Sequence, residues 1–191
     1  MTPELAIGIL VPSLWLAWLV YWWLSARNVK RTRSRESVAA ELRHRGPLML
    51  AALFLAAPRL VPRLLTRRFL PVGWFFPVLG TLLLAAGLGF TVWARRHLGR
   101  NWSASVVVKE DHALVRTGPY RHVRHPIYSG MLLAFLGTVV TIGEWRGLVA
   151  LMLAGVAFAV KSRAEERRMR ETFPEYTEYE RETAAIVPFV C

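Results

Sequence analysis

The chain has 191 residues, of which 54% are hydrophobic and eight are tryptophan, and its formal net charge is +12. So much apolar surface needs lipid to cover it, and the basic residues lie between long apolar runs; both facts favour membrane-flanking charge over nucleic-acid binding. The single cysteine, Cys191, allows no intramolecular disulfide and no cysteine-based zinc site.

Taken in chain order, the first apolar run is Leu5–Leu24. Glu4 precedes it and the first positive charge, Arg27, follows it. That polarity suits an N-out anchor rather than a cleaved signal peptide. The stretch Arg27–Arg45 carries seven basic residues with no catalytic spacing and reads as a cytoplasmic loop against anionic headgroups. Pro47–Pro58 is a short second span that runs on into Arg59 and Arg63. Phe69–Ala94 is a long third span. Pro126–Gly143 is a fourth, and Gly147–Val160 a short fifth, with Lys161 and Arg163 able to snorkel at its end.

Five spans with the amino terminus outside put 25–46, 95–125 and 161–191 on the cytoplasmic side, where they hold 7, 7 and 6 basic residues. The outer segments 59–68 and 144–146 hold 4 and 1, a bias that supports this orientation. The expected fold is therefore all-α and polytopic, forming one domain. Residues 1–94 supply three amino-terminal spans, and 95–191 a carboxyl-terminal region made of a connector (95–125), a helical hairpin (126–160) and a cytoplasmic tail (161–191).

Four of the five histidines, His97, His112, His122 and His125, fall within 29 residues. No carboxylate or cysteine is spaced to complete a metal coordination set with them, so no metal is expected. Proline is favoured at the first helical position, so Pro126 should open the fourth span with His125 near its N-cap. Free N–H groups there, with Arg124 and His125, would make an anion site suited to an amino-acid carboxylate. The competing reading is that Arg124 and His125 only snorkel at a span end. Gly118-Pro119-Tyr120 reads as a turn that returns His112–Val115 towards the helix start. After the fifth span comes KSRAEERRMRETFPEY, where Glu165 shares a helical face with Lys161 and the helix should end near Phe173-Pro174. Alone, this reads as a solvated, salt-bridged helix; topology places it beside the RHP helix start.

From Leu98 to Tyr128 the chain reads LG-x-NWS, then H-x-LV-x-x-G-x-Y, then RHP-x-Y, followed at hairpin distance by Glu165-Glu166 and a Tyr176…Tyr179…Pro188 tail. In this order the motifs resemble the isoprenylcysteine carboxyl methyltransferase family and the related phospholipid methyltransferases, over about residues 95–190. The resemblance implies an S-adenosylmethionine-dependent membrane methyltransferase with its cofactor pocket at the cytoplasmic face. By that similarity His112, Ala113, Leu114 and Val115 line the adenosine part, and Tyr120, His125, Pro126 and Tyr128 hold the amino-acid end and ribose. Glu165 and Glu166 complete the pocket, one of them reaching the cofactor amino group, beside Arg124. Arg163 stands where the family uses an arginine for substrate, and Asn101 and Trp102 fall in the substrate-binding motif.

The implied acceptor is an amphiphile: the carboxylate of an isoprenylcysteine-like molecule, or alternatively a phospholipid amine. A nicotinamide-dependent membrane reductase of related arrangement, or a non-enzymatic membrane scaffold, is the rival reading. The preponderance of arginine, 22 against 3 lysines, suggests a GC-rich genome and a bacterial inner membrane.

Overall fold

The computed structural model describes residues 3–27, 38–99 and 114–187. Within them the chain forms helices α1 (Pro3–Ala26), α2 (Val38–Ala56), α3 (Phe75–Leu98), α4 (Pro126–Ile142), α5 (Trp145–Thr172) and a short α6 (Tyr176–Glu182). Three of these, α1 from Ile7, α3 and α5, are long and apolar enough to cross a membrane, and α4 is a shorter apolar helix. The five apolar runs of the sequence thus correspond to α1–α5, with shifted boundaries. The expected loop 25–46 is helical from Val38, so Pro47 lies inside α2 rather than at its start. The third span begins at Phe75, not Phe69, because Pro71 and an extended Gly73 hold the preceding residues in a turn. No break follows Val160; α5 runs on unbroken to Thr172 and stops where Phe173-Pro174 ends it, as expected.

The tightest packing is between α3 and α4, where small residues let the two backbones approach. Gly80 and Gly87 of α3 face Gly137 and Gly130 of α4; a Cβ on Gly87 would meet the Ala134 nitrogen at 2.5 Å and the Gly130 carbonyl at 2.6 Å. In lipid, where apolar surface gives no drive for helices to associate, such close approach supplies the packing contact that holds them. A second core joins α2, α4 and α5 through Ala51, Met131, Phe135, Ala150, Ala154 and Phe158.

Helix α1 presents Ile9, Val20, Trp23 and Leu24 outward, as a lipid-facing helix must. Two indole hydrogen bonds attach it to the rest. Trp15 Nε1 donates to Thr138 Oγ1 at 3.1 Å, and Trp18 Nε1 to Thr91 Oγ1 at 2.7 Å.

Helix ends in a membrane protein leave carbonyls that something must satisfy. At the α4–α5 turn, arginines do this. The buried Arg146 donates from Nη1 to the carbonyls of Phe54 (2.7 Å) and Leu55 (2.8 Å), closing the end of α2, while its Nε meets Glu144 at 2.5 Å. Arg68 Nη1 donates to the carbonyl of Ile142 at 3.0 Å, closing α4, and Gly143 takes the left-handed conformation (φ 63°) that a helix C-terminus favours. Replacing Arg146 by Ala strands two carbonyls and a carboxylate; we expect a loss of about 3 kcal/mol in thermal or denaturant unfolding, against little change for the exposed Arg63→Ala.

Candidate active site

At the other end of the hairpin, Pro126 occupies the first position of α4, as its fixed φ and missing N–H favour, and is fully buried. His125 is the N-cap residue. Its ring is buried between two carboxylates of α5: Nε2 lies 3.1 Å from Glu166 Oε1, and Nδ1 lies 3.4 Å from Glu165 Oε2. Arg124 Nε donates to the same Glu166 oxygen at 2.9 Å. The Tyr128 hydroxyl reaches both oxygens of Glu165 at 2.8 Å, and Lys161, one turn before Glu165, stands 3.9 Å from it. The rings of His125, Tyr128 and Phe158 stack in sequence at 5.2 and 4.9 Å, within 11° of parallel, so the cluster is rigid as well as charged.

Spacing explains why these groups meet. His125 and Tyr128 are three residues apart at the start of α4, so they share a face. Residues 158, 162 and 166 are buried along one stripe of α5, and Glu165 lies beside it. The short turn at 143–144 makes α4 and α5 antiparallel, so residue 125 pairs with residue 166.

The carboxyl-terminal segment closes the cluster. Phe173 caps α5, the chain turns, and α6 folds back so that Arg170 pairs bidentately with Glu180 at 2.6 and 2.8 Å. Arg124 Nη1 then donates to the carbonyls of Glu180 (3.0 Å) and Thr183. The backbone N–H groups of Arg124 and His125 donate to the carbonyls of Ala184 and Ala185, each at 2.9 Å, and Ser129 Oγ donates to the Ile186 carbonyl. Buried Tyr179 donates its hydroxyl to the Tyr120 carbonyl at 2.5 Å. Of the N–H groups expected to be free here, those of Arg124 and His125 go to the strap 183–186 and those of Tyr128 and Ser129 to the His125 carbonyl, while the Arg124 guanidinium is engaged by Glu166 and two carbonyls.

Burial works against charge on His125, but hydrogen bonding and the negative charge of Glu165 and Glu166 outweigh it and hold the imidazole above its ordinary value. Burial pushes the Tyr120 phenol up, and the charge of Glu165 adds to the effect. Tyr179 is pushed up to about 12, chiefly by burial.

Of the residues singled out in the sequence, Arg124, His125, Tyr128, Glu165 and Glu166 converge directly, with Pro126 framing the start of α4. Tyr120 is buried in the 3₁₀ turn Gly118–Arg121, where the expected turn falls, and stacks on His97 at 6.4 Å. Leu114 and Val115 are half-buried beside that turn. Arg163 is exposed and pairs with no acid among the described residues; it is two positions from Glu165, and residues two apart on a helix do not share a face. Asn101, Trp102, His112 and Ala113 lie outside the described residues. Among the described residues no cluster of His, Cys, Asp and Glu is placed to hold a metal ion. Sequence reasoning missed Arg170, Glu180 and Thr183, whose partners are reached only through a chain reversal; the Tyr176…Tyr179 spacing was the one available signal.

A family model described as phospholipid methyltransferase matches residues 75–176. The cobalt-zinc-cadmium resistance protein CzcN of Cupriavidus metallidurans is 33% identical over 118 residues, covering 60% of this chain and 51% of that protein. The protein-S-isoprenylcysteine O-methyltransferase of Saccharomyces cerevisiae is 33% identical over 117 residues, 59% of this chain and 49% of the relative. The chain therefore spans about half the length of these curated relatives. Among solved structures, the eukaryotic intramembrane Ras methyltransferase ICMT superposes with a TM-score of 0.55 at 19% identity, covering 80% of this chain and 52% of the other. That likeness establishes the fold, a polytopic helical membrane protein.

Proposed function

The chain belongs to the phospholipid methyltransferase family, and on that premise we propose that it is an integral membrane enzyme moving a methyl group from S-adenosylmethionine to an amphiphilic acceptor. The first acceptor class is the carboxylate of an isoprenylcysteine-like molecule, by similarity to the yeast relative. The observation that carries this reading is the buried Arg124–His125–Glu165–Glu166 cluster at one end of the hairpin, inside the matched region. We take that end as cytoplasmic, from the charge bias of the flanking segments, and the membrane as a bacterial inner membrane.

The residues fit an amino-acid ammonium. Glu165 is the more accessible of the two acids, with a side chain 18% exposed against 9% for Glu166, and Tyr128 and Lys161 hold it in one orientation. Glu165 is therefore assigned to the cofactor ammonium. Glu166, saturated by Arg124 and His125, positions the strap and the start of α4. Leu114 and Val115, with His112 and Ala113, are assigned to the adenosine part, and Tyr120 to the ribose and amino-acid end. When bound, the sulfonium supplies an electrophilic methyl group. The protein's share is alignment and exclusion of water, since a carboxylate acceptor is already ionised at neutral pH. Arg163, exposed near this end of α5, is the cation available to hold that carboxylate, with Asn101 and Trp102 in the connector on the acceptor side.

The family description favours a second acceptor, a phospholipid amine. The two differ in pH dependence. A carboxylate acceptor gives a rate nearly flat between about pH 6 and 9, because its own pKa lies far below. An amine gives a rate that rises with pH, as the free amine or a base is needed.

For the site itself, Glu165→Gln should weaken binding of S-adenosylhomocysteine by about 1–3 kcal/mol, the scale of a lost charge-assisted hydrogen bond. Arg163→Ala should leave that affinity intact and lower turnover. Isothermal titration and initial rates on the two variants test the assignment; the reverse pattern would transfer Arg163 to the cofactor and remove Glu165 from it.

A further inference from the structure

The bundle contains a recess away from the Arg124–Glu166 cluster. A cavity of about 1310 Å³ lies between α1, α2 and α4, lined by Leu16, Ala52, Leu55, Phe135 and Trp74 among other apolar groups, with Arg68 its one charged wall residue among the described residues. It runs along α4 from Met131 to Ile142, beside α1, which Trp15 and Trp18 attach to α4 and α3. Arg68 is at the α4 C-terminus and His125 at its N-terminus, so the two are about 25 Å apart at 1.5 Å per residue over the 17 residues of α4. The recess therefore reaches the membrane face opposite the Arg124–Glu166 cluster.

The segment that brings Arg68 to the recess is basic. Arg59, Arg63, Arg67 and Arg68 lie on one exposed segment, and no acidic residue occurs between Glu41 and Glu110. Glu144, which approaches this segment, is already engaged by Arg146 at 2.5 Å. Leu60 and Leu64 between the arginines, and Val72 and Trp74 just after them, are exposed, the mixture expected of a segment lying in the headgroup region. The segment is also held in place: Phe69 N–H donates to the Gly143 carbonyl, and the N–H groups of Trp145 and Arg146 donate to the Arg67 and Leu65 carbonyls, at 2.7–3.2 Å. Arg68 uses one N–H on Ile142, and its guanidinium retains other donors.

We propose that this recess is a structural lipid site, holding one acyl chain of an anionic phospholipid whose phosphate sits at Arg68. An apolar channel with an arginine at its headgroup end matches that chemistry at both ends. The lipid would fill the gap that α1 leaves and tie it to α2 and α4. It is distinct from the methyl acceptor, which approaches the opposite face.

The test uses the full chain in detergent micelles carrying equal amounts of dioleoylphosphatidylglycerol and dioleoylphosphatidylcholine, with retained lipid counted by native mass spectrometry. One phosphatidylglycerol per chain is expected, retained about tenfold over phosphatidylcholine, the scale of one charge-assisted hydrogen bond. Arg68→Gln should abolish that preference. Ala52→Phe and Ala56→Phe, which fill the recess from α2, should each lower retention of both lipids while circular dichroism shows unchanged helix content. Equal retention of the two lipids by the unaltered chain would overturn the proposal. So would undiminished phosphatidylglycerol in both filling variants, or its release by a soluble S-farnesylcysteine derivative, which would make the recess the acceptor's own.

Discussion

Gly87→Leu is expected to prevent recovery of folded protein, whereas Gly89→Leu, two residues along the same helix, should leave it folded. At Gly87 even a Cβ would lie 2.5–2.6 Å from backbone atoms of Ala134 and Gly130, which cannot move without separating α3 from α4. At Gly89 nothing stands within 4 Å, and the residue faces outward. Overpacking a well-fitted core costs about 1–3 kcal/mol where side chains can adjust, and more where the obstacle is backbone. Because α4 carries His125 and Tyr128, moving it also misplaces the cluster. Size-exclusion profiles and thermal unfolding in detergent decide the matter; two variants with equal unfolding temperatures would mean that α3 and α4 do not pack through their glycines.

Glu166→Gln should destabilise the protein by about 3–5 kcal/mol, the cost of leaving a buried charge without its partner. The carboxylate is shared by the Arg124 guanidinium and the His125 ring, and Arg170 approaches within 3.9 Å. Its neutralisation leaves Arg124 buried with only the carbonyls of Glu180 and Thr183. The unfolding temperature should fall by roughly 10 °C for a chain of this size. Turnover should fall with it, because the strap and the start of α4 lose their common anchor. Glu165→Gln should cost less stability, since Glu165 is held by Tyr128, by the His125 ring at 3.4 Å and by a lysine at 3.9 Å, and not by a buried arginine. Equal losses from the two variants would remove the distinction drawn between the acids.

Much of this arrangement was legible in the sequence because it follows from short-range rules. Pro126 after Arg124-His125 marks a helix start, and Phe173-Pro174 marks a helix end, wherever the rest of the chain lies. The antiparallel hairpin then brings residues 125 and 166 together by length alone. The family resemblance rested on the same motifs, and the matched region 75–176 contains the RHP-x-Y and acidic motifs.

What stayed hidden depends on long-range contact. The strap over α4 is built from carbonyls of 180–186, and carbonyls carry no sequence signature. Arg124 looked like an anion ligand because its charge was visible and its three partners were not. Arg146 and Arg68 looked like ordinary flanking charge, yet they close the ends of α2 and α4. The onset of α2 at Val38 was obscured by its own composition: Glu41, Arg43, His44 and Arg45 break the apolar run although the backbone there is already helical.

Methyl transfer itself is the most direct test. The purified chain, reconstituted in lipid vesicles, is supplied with S-adenosylmethionine labelled in its methyl group and with either an S-farnesylcysteine derivative or phosphatidylethanolamine. Label should appear as a base-labile ester on the farnesylcysteine carboxylate, and the yield should fall in Glu165→Gln. Absence of label in both acceptors, together with no binding of S-adenosylhomocysteine to the unaltered protein, would contradict the assignment of the Arg124–His125–Glu165–Glu166 end of the hairpin as a methyl-donor site.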